Sequence, residues 1–143
     1  SVKLKRGEVL SLSVDVLAAA RRVYATLGWG WHEDVYREAL AVELAAGGHA
    51  AEKEVAYPVL YHGRPLSHIS LRMDMVVDAR VVVELKATNG LPHGARRAAR
   101  QCQRYLEHAA PLGGGGGRAS LGLVVNFVDK ADQPLQWEVV SRG

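Results

Sequence analysis

The sequence predicts a mixed α/β domain, a central sheet flanked by helices. The expectation rests on three features of the chain. Two stretches within the first 46 residues repeat their apolar positions every three or four residues, the period of a helix buried along one side. Between Glu54 and Ala87, three runs rich in Val, Tyr, Leu and Met follow one another with only short turns between them. An arginine-rich helical segment and two further apolar runs complete the order ααβββαββ, and 143 residues fit one domain, 1–143, with room for a real core.

The first helix is expected over Val9–Leu27, where Val9, Leu12, Val16, Ala20, Val23 and Leu27 form one stripe. Gly28-Trp29-Gly30 ends it. A second helix should run from about Trp31 to Ala46. Val35, Ala39 and Val42 line one side and Tyr36, Leu40 and Leu44 the next, so a wide buried face is expected, with Gly47-Gly48 as the stop. Glu54–Tyr61 reads as a strand, His62-Gly63-Arg64-Pro65 as a turn, and Leu66–Asp78 as the returning strand. Asp78-Ala79-Arg80 then turns into Val81-Val82-Val83-Glu84-Leu85-Lys86, giving an antiparallel meander. After the loop Asn89–Pro92, Gly94–Ala110 is helical, and five consecutive glycines, 113–117, make a flexible connection. Leu121–Phe127 is a buried strand by its apolar content, and Leu135–Val140 a last edge strand.

Composition excludes several classes. Hydrophobic residues at 48% make the chain globular rather than disordered. The formal charge of +3 is too small to imply nucleic acid by itself. Its distribution is uneven, because Arg96, Arg97, Arg100 and Arg104 crowd one segment. The lone Cys102 rules out an internal disulfide and a multi-cysteine zinc site. No apolar run is long enough to span a bilayer, and the first residues lack the apolar core of a signal peptide, so no membrane partner is expected. An intracellular location is expected, with cytoplasm, nucleus and organelle left open.

The valine run ends in two charges. In a strand, Glu84 and Lys86 share one face while Val83, Leu85 and Ala87 share the other. Charges on a buried strand are costly unless they meet each other, a metal or a substrate. Asp74 is a second odd charge, inside the strand-like run Leu71–Val77. Two carboxylates suit Mg²⁺ or Mn²⁺ better than zinc, and a lysine beside them can stabilise a phosphate or act on the attacking water. The ordinary alternative is a Glu–Lys pair and a strand-end Asp at the rim of a sheet, since Asp-x(9)-Glu-x-Lys is a loose pattern.

Glu33 has two readings as well: a first-turn acid favoured by the helix dipole and paired with Arg37, or a third carboxylate brought to a metal. Gln101 and Tyr105, four residues apart, share a helix face, either as a half-buried polar pair or to complete a site. Arg96, Arg100 and Arg104 are a solvated face or phosphate contacts. The six histidines read as surface residues, and Trp29, Trp31 and Trp137 as packing rather than base-stacking.

Gly30-x-x-Glu33-x-x-Tyr36, Arg72-Met73-Asp74, Val82-Val83-Glu84-Leu85-Lys86-Ala87, Gln101-x-x-x-Tyr105 and Leu123–Phe127 stand in this order over residues 8–128. Together they resemble the GxxExxY family of PD-(D/E)XK nuclease-like proteins, and Gln101-x-x-x-Tyr105 is similar to a motif of RecB-type and Cas4-type nucleases. The resemblance implies a restriction-endonuclease-like αβββαβ core with an extra N-terminal helix. It also implies a metal site of Asp74, Glu84 and the Leu85 carbonyl supported by Glu33, with Lys86 serving the water or phosphate and Gln101 and Tyr105 completing the site. Met73 replaces the signature proline, Trp29, Trp31 and His32 replace apolar turn residues, and no cysteine set exists for an iron–sulfur cluster. The expected activity is metal-dependent hydrolysis of DNA phosphodiesters, in repair or processing, with DNA favoured over RNA. The alternative is a catalytically silent module that binds nucleic acid or scaffolds a larger complex; a homo-oligomer is compatible with either.

Overall fold

The helical periods of the first 46 residues produce α1 (Arg6–Leu27) and α2 (Glu33–Ala46). The apolar stripe of α1 is buried as the spacing required, with Val16 and Ala20 fully enclosed. On α2 the buried face is narrower than expected: Tyr36, Leu40 and Leu44 are enclosed, whereas Val42 is 70% exposed. The row Tyr36, Leu40 and Leu44 seats this helix, with Ala39 and Ala41 packed partly against the same core. In the computed structural model, residues 6–90, 93–109 and 119–141 are described; the glycine run 113–117 lies outside them.

The strands β1 (Ala51–Tyr61), β2 (Arg64–Val77), β3 (Val81–Lys86), β4 (Leu121–Asn126) and β5 (Gln136–Val140) form one sheet in sequence order. The first three make the expected antiparallel meander. The β1–β2 turn is tighter than expected, since Tyr61 already faces Arg64 and only His62 and Gly63 turn, with φ of 49° and 74°. Asp78 and Ala79, at φ of 51° and 56°, turn β2 into β3, closed by the Arg80 N–H on the Val77 carbonyl at 2.9 Å. At the β1–β2 turn, paired positive φ values are what a two-residue hairpin needs to match strand twist. His49, read from sequence as a surface residue, is half-buried here: its Nδ1 lies 2.7 Å from Asp78 Oδ2, and its Nε2 lies 3.5 Å from Asp15.

The crossover from β3 through α3 (His93–Arg104) makes β4 parallel to β3, and β5 returns antiparallel at the edge. The helix expected to reach Ala110 changes character at Tyr105, where a π-helical turn, Tyr105–Ala109, replaces the α-helix. Parallel strands buried on both faces need apolar side chains at every position, and β3 and β4 are buried almost throughout. One face, built on Met75, Val83, Leu85 and Leu123, meets α1 and α2. The other, built on Val76, Val82 and Val124, meets Ala98, Cys102 and Leu106 of the third helical segment. That segment lies close to the sheet: a Cβ at Gly122 would stand 3.1 Å from the Cys102 Cβ.

Candidate active site

The site begins where β2 and β3 part. Their ladder pairs Val77 with Val81, Val76 with Val82 and Met75 with Val83. One step further, the same register sets Asp74 opposite Glu84. Side chains replace the ladder there: the Asp74 N–H donates to Glu84 Oε1 at 2.9 Å, and the Leu85 N–H donates to Asp74 Oδ2 at 2.7 Å. The two carboxyls thus hold the strand ends together while β2 continues, paired only with β1, past the sheet.

Like charges at directly opposed positions are destabilising, and burial sharpens the conflict. Glu84 is 5% exposed. Desolvation by burial, then the neighbouring Asp74 charge, push its carboxyl up to about 8; the Asp74 N–H bond and Lys86 act in the opposite direction. Keeping the Glu84 carboxyl neutral is one way to relieve this repulsion. A hard divalent cation is the other way to relieve this repulsion. The donor set, two carboxylates each with one oxygen committed to a backbone N–H, suits Mg²⁺ or Mn²⁺. Lys86 follows on the same strand face, half-buried. The Leu85 side chain is fully buried on the opposite face.

Glu33 reaches the far side of the β3 end. It is the first residue of α2 and half-buried, and it lines a cleft of ≈ 420 Å³ with Gly30, Trp31, Asp34, Ala87 and Asp129. The helix pairing expected for it does not form, because Arg37 is taken by Asp34 and Glu38, each at 3.3 Å, and by Glu54 at 3.8 Å. Among the described residues, no group of three or more His, Cys, Asp or Glu side chains able to hold a metal converges. Asp74 and Glu84 meet as a pair, and the structure does not bring Glu33 into that pair as a third ligand.

The spacing Gly30-x-x-Glu33-x-x-Tyr36 has a mechanical basis. Gly30, at φ 98°, makes a turn that an L side chain rarely adopts. Three residues after Glu33, the Tyr36 hydroxyl donates to the Gly28 carbonyl at 2.7 Å and accepts from the Trp31 N–H at 3.4 Å. The Tyr36 ring stacks on Phe127 at 4.2 Å, just past β4. The loop that presents Glu33 is therefore tied to the sheet through one phenol. From sequence, Tyr36 read as an apolar residue, and the recurrence of Gly, Glu and Tyr at three-residue spacing was the available signal.

On the other face, Gln101 Nε2 donates to the Arg72 carbonyl at 3.2 Å, two residues before Asp74. Tyr105 packs edge-on against Tyr57 at 5.4 Å and is half-buried. Both residues therefore anchor the third helical segment to β1 and β2. Arg96, Arg100 and Arg104 are exposed, and lie opposite the buried row of Ala98, Cys102 and Leu106.

Sequence reasoning missed two further residues. The Tyr57 hydroxyl is buried close to the Gln101 amide, yet makes no hydrogen bond of good geometry among the described residues. Fully buried Asn126 accepts from the Thr88 N–H at 2.9 Å and donates to the Thr88 carbonyl at 3.3 Å, fixing the chain where it leaves β3. A lone amide in the apolar run Leu121–Phe127 was its signal. The tryptophans, read from sequence as packing, lie outside the core, with Trp29, Trp31 and Trp137 54%, 48% and 46% exposed.

The family profile described as the PD-(D/E)XK nuclease superfamily matches residues 11–137. The structure titled "Crystal structure of SSO0001" superposes with a TM-score of 0.52 at 20% identity, covering 99% of this chain and 70% of that one, which shows a shared fold. No curated protein matches the sequence. The profile match, which spans most of the sequence, shows that the chain belongs to the PD-(D/E)XK nuclease superfamily.

Proposed function

We propose that this protein is a Mg²⁺- or Mn²⁺-dependent nuclease of the GxxExxY type that hydrolyses DNA phosphodiester bonds, in repair or processing. The observation that carries the reading is the opposed pair of half-buried Asp74 and buried Glu84 at the parting of β2 and β3. Structural charges rarely occupy such positions without a partner, and Lys86 stands beside this pair. Asp74, Glu84 and the Leu85 carbonyl would hold the cation, with Glu33 supporting it from the far side of the strand end. When bound, such a cation supplies Lewis acidity toward a phosphate oxygen and acidifies the attacking water.

The chain's own groups do the rest. The Lys86 ammonium neutralises charge on the phosphate or orients the water against it. Gln101 and Tyr105 keep the third helical segment seated on β1 and β2 beside the pair. The exposed Arg96, Arg100 and Arg104 provide sequence-independent attraction for the phosphate backbone.

The test is cleavage of end-labelled single- and double-stranded DNA with Mg²⁺, Mn²⁺ or EDTA. Metal-dependent cleavage, lost in Glu84→Gln, is expected. A Glu84→Gln protein that cleaves like wild type would remove the site assignment. A second reading, a silent module that binds nucleic acid or scaffolds a complex, draws support from the lack of a three-ligand cluster among the described residues. DNA binding by wild type without cleavage would favour it.

A further inference from the structure

The loop between α1 and α2 does something unusual with its aromatic residues. Trp29 is 54% exposed and Trp31 48%, although neighbouring Tyr36 and Phe127 are fully enclosed. Trp31 is nevertheless held in place. Its indole N–H donates to the Leu27 carbonyl at 2.9 Å, and its backbone N–H is bound to Tyr36. The one polar atom of the ring is therefore satisfied internally, and the ring presents an apolar surface in a fixed orientation. It forms part of the ≈ 420 Å³ cleft, a volume in the range of small-molecule sites of about 300–1,000 Å³.

The position of the cleft matters as much as its lining. Ala87 lines it and lies three residues beyond Glu84 on the same chain, about 10 Å at strand spacing. A group in the cleft is then within one or two nucleotides of a phosphate at Asp74 and Glu84. Beside His32, the carboxylates Glu33, Asp34 and Asp129 border the cleft and would repel a phosphate, whereas Asp34 and Asp129 can accept hydrogen bonds from the N–H groups on a base edge.

We propose that Trp31 is a stacking platform for an unpaired nucleobase of the substrate strand, so that single strands and frayed ends are bound in preference to closed duplex. The proposal deepens the nuclease reading and rests on it for the identity of the ligand. A fixed aromatic face costs little to order, and base-on-aromatic stacking tolerates any sequence.

The experiment uses the full chain in EDTA, so that binding is measured without cleavage, in a background with Trp29→Phe and Trp137→Phe. Both of those side chains are exposed, and Trp31 is then the sole indole. Titration with a mixed-sequence single-stranded oligonucleotide should quench the Trp31 emission, and a hairpin-capped duplex of the same sequence should quench it far less. By anisotropy with labelled oligonucleotide, Trp31→Ala should bind the single strand about tenfold more weakly, and Trp31→Phe should restore the affinity. The Phe variant separates stacking from loop collapse, because it keeps an aromatic face while losing the indole N–H bond.

No quenching, equal quenching by the capped duplex, or Trp31→Ala binding within about twofold of its parent would each overturn the proposal. The two readings fail separately. Metal-dependent cleavage with Trp31→Ala binding unchanged would sink the stacking platform and leave the nuclease. Trp31-dependent binding without any cleavage would sink the nuclease and leave the platform.

Discussion

Replacing Glu84 by Gln should make the metal-free protein more stable at alkaline pH, the reverse of the usual result for a buried substitution. Burial and the Asp74 charge raise the Glu84 carboxyl from 4.5 to about 8 in the folded chain. A raised carboxyl stabilises the fold fully below its unfolded value, and that stability is lost as pH rises from about 4.5 through about 8. Each pH unit in that interval is worth about 1.36 kcal/mol, so the loss is on the order of 5 kcal/mol at most; water entry at the parted strands reduces it to roughly 2–5 kcal/mol. Gln keeps an acceptor for the Asp74 N–H and carries no charge to desolvate. At pH 8.5 in EDTA, Glu84→Gln should therefore melt above wild type by about 5–15 °C, while at pH 5 the two should nearly coincide. Excess Mn²⁺ should raise the wild-type melting point at pH 8.5 and leave the variant unchanged, because a ligand bound only by the folded state stabilises it. Scanning calorimetry at the two pH values decides the matter. A variant that melts below wild type at pH 8.5, or that keeps the wild-type pH slope, would refute the account of the opposed carboxyls.

Tyr36→Phe should lower stability by about 1–2 kcal/mol, because the Gly28 carbonyl and the Trp31 N–H lose their shared partner. Thermal melts would show this as a fall of about 3–8 °C, and Mn²⁺ affinity measured alongside should weaken as the Glu33 loop loosens. Tyr57→Phe should be neutral or stabilising by about 1 kcal/mol in urea titration, because it removes a buried hydroxyl without a partner; a loss beyond 1 kcal/mol would mean that a water or a partner satisfies that group.

Asp74 and Glu84 were legible because strand alternation fixes which residues share a face, and a carboxyl inside a valine run has few inexpensive places to go. Element order and the antiparallel meander were legible for the same reason: short turns leave successive strands no other partner. The exposure of Val42 was not, because helical period cannot tell a helix packed on bare sheet from one packed beside α1. Nor was the exposure of Trp29 and Trp31. Hydrophobicity alone does not place a loop side chain, and Trp29 and Trp31 sit in a loop whose path is set by the left-handed glycines Gly28 and Gly30. The separation of Glu33 from the carboxyl pair lies beyond sequence spacing, since it depends on where α2 meets the strand end.

The close seating of Cys102 against Gly122 gives the protein a built-in clock. The thiol is fully enclosed, and burial together with the Glu84 and Asp74 charges pushes its ionisation well above the usual thiol range, so the folded chain should be inert to alkylating reagents. Cys102 is the single cysteine in the sequence, and it rests on the sheet face that carries the carboxyl pair. Alkylation can proceed only when the third helical segment lifts from β4. Its rate therefore counts, at one sulfur atom, the openings that would expose that face to solvent.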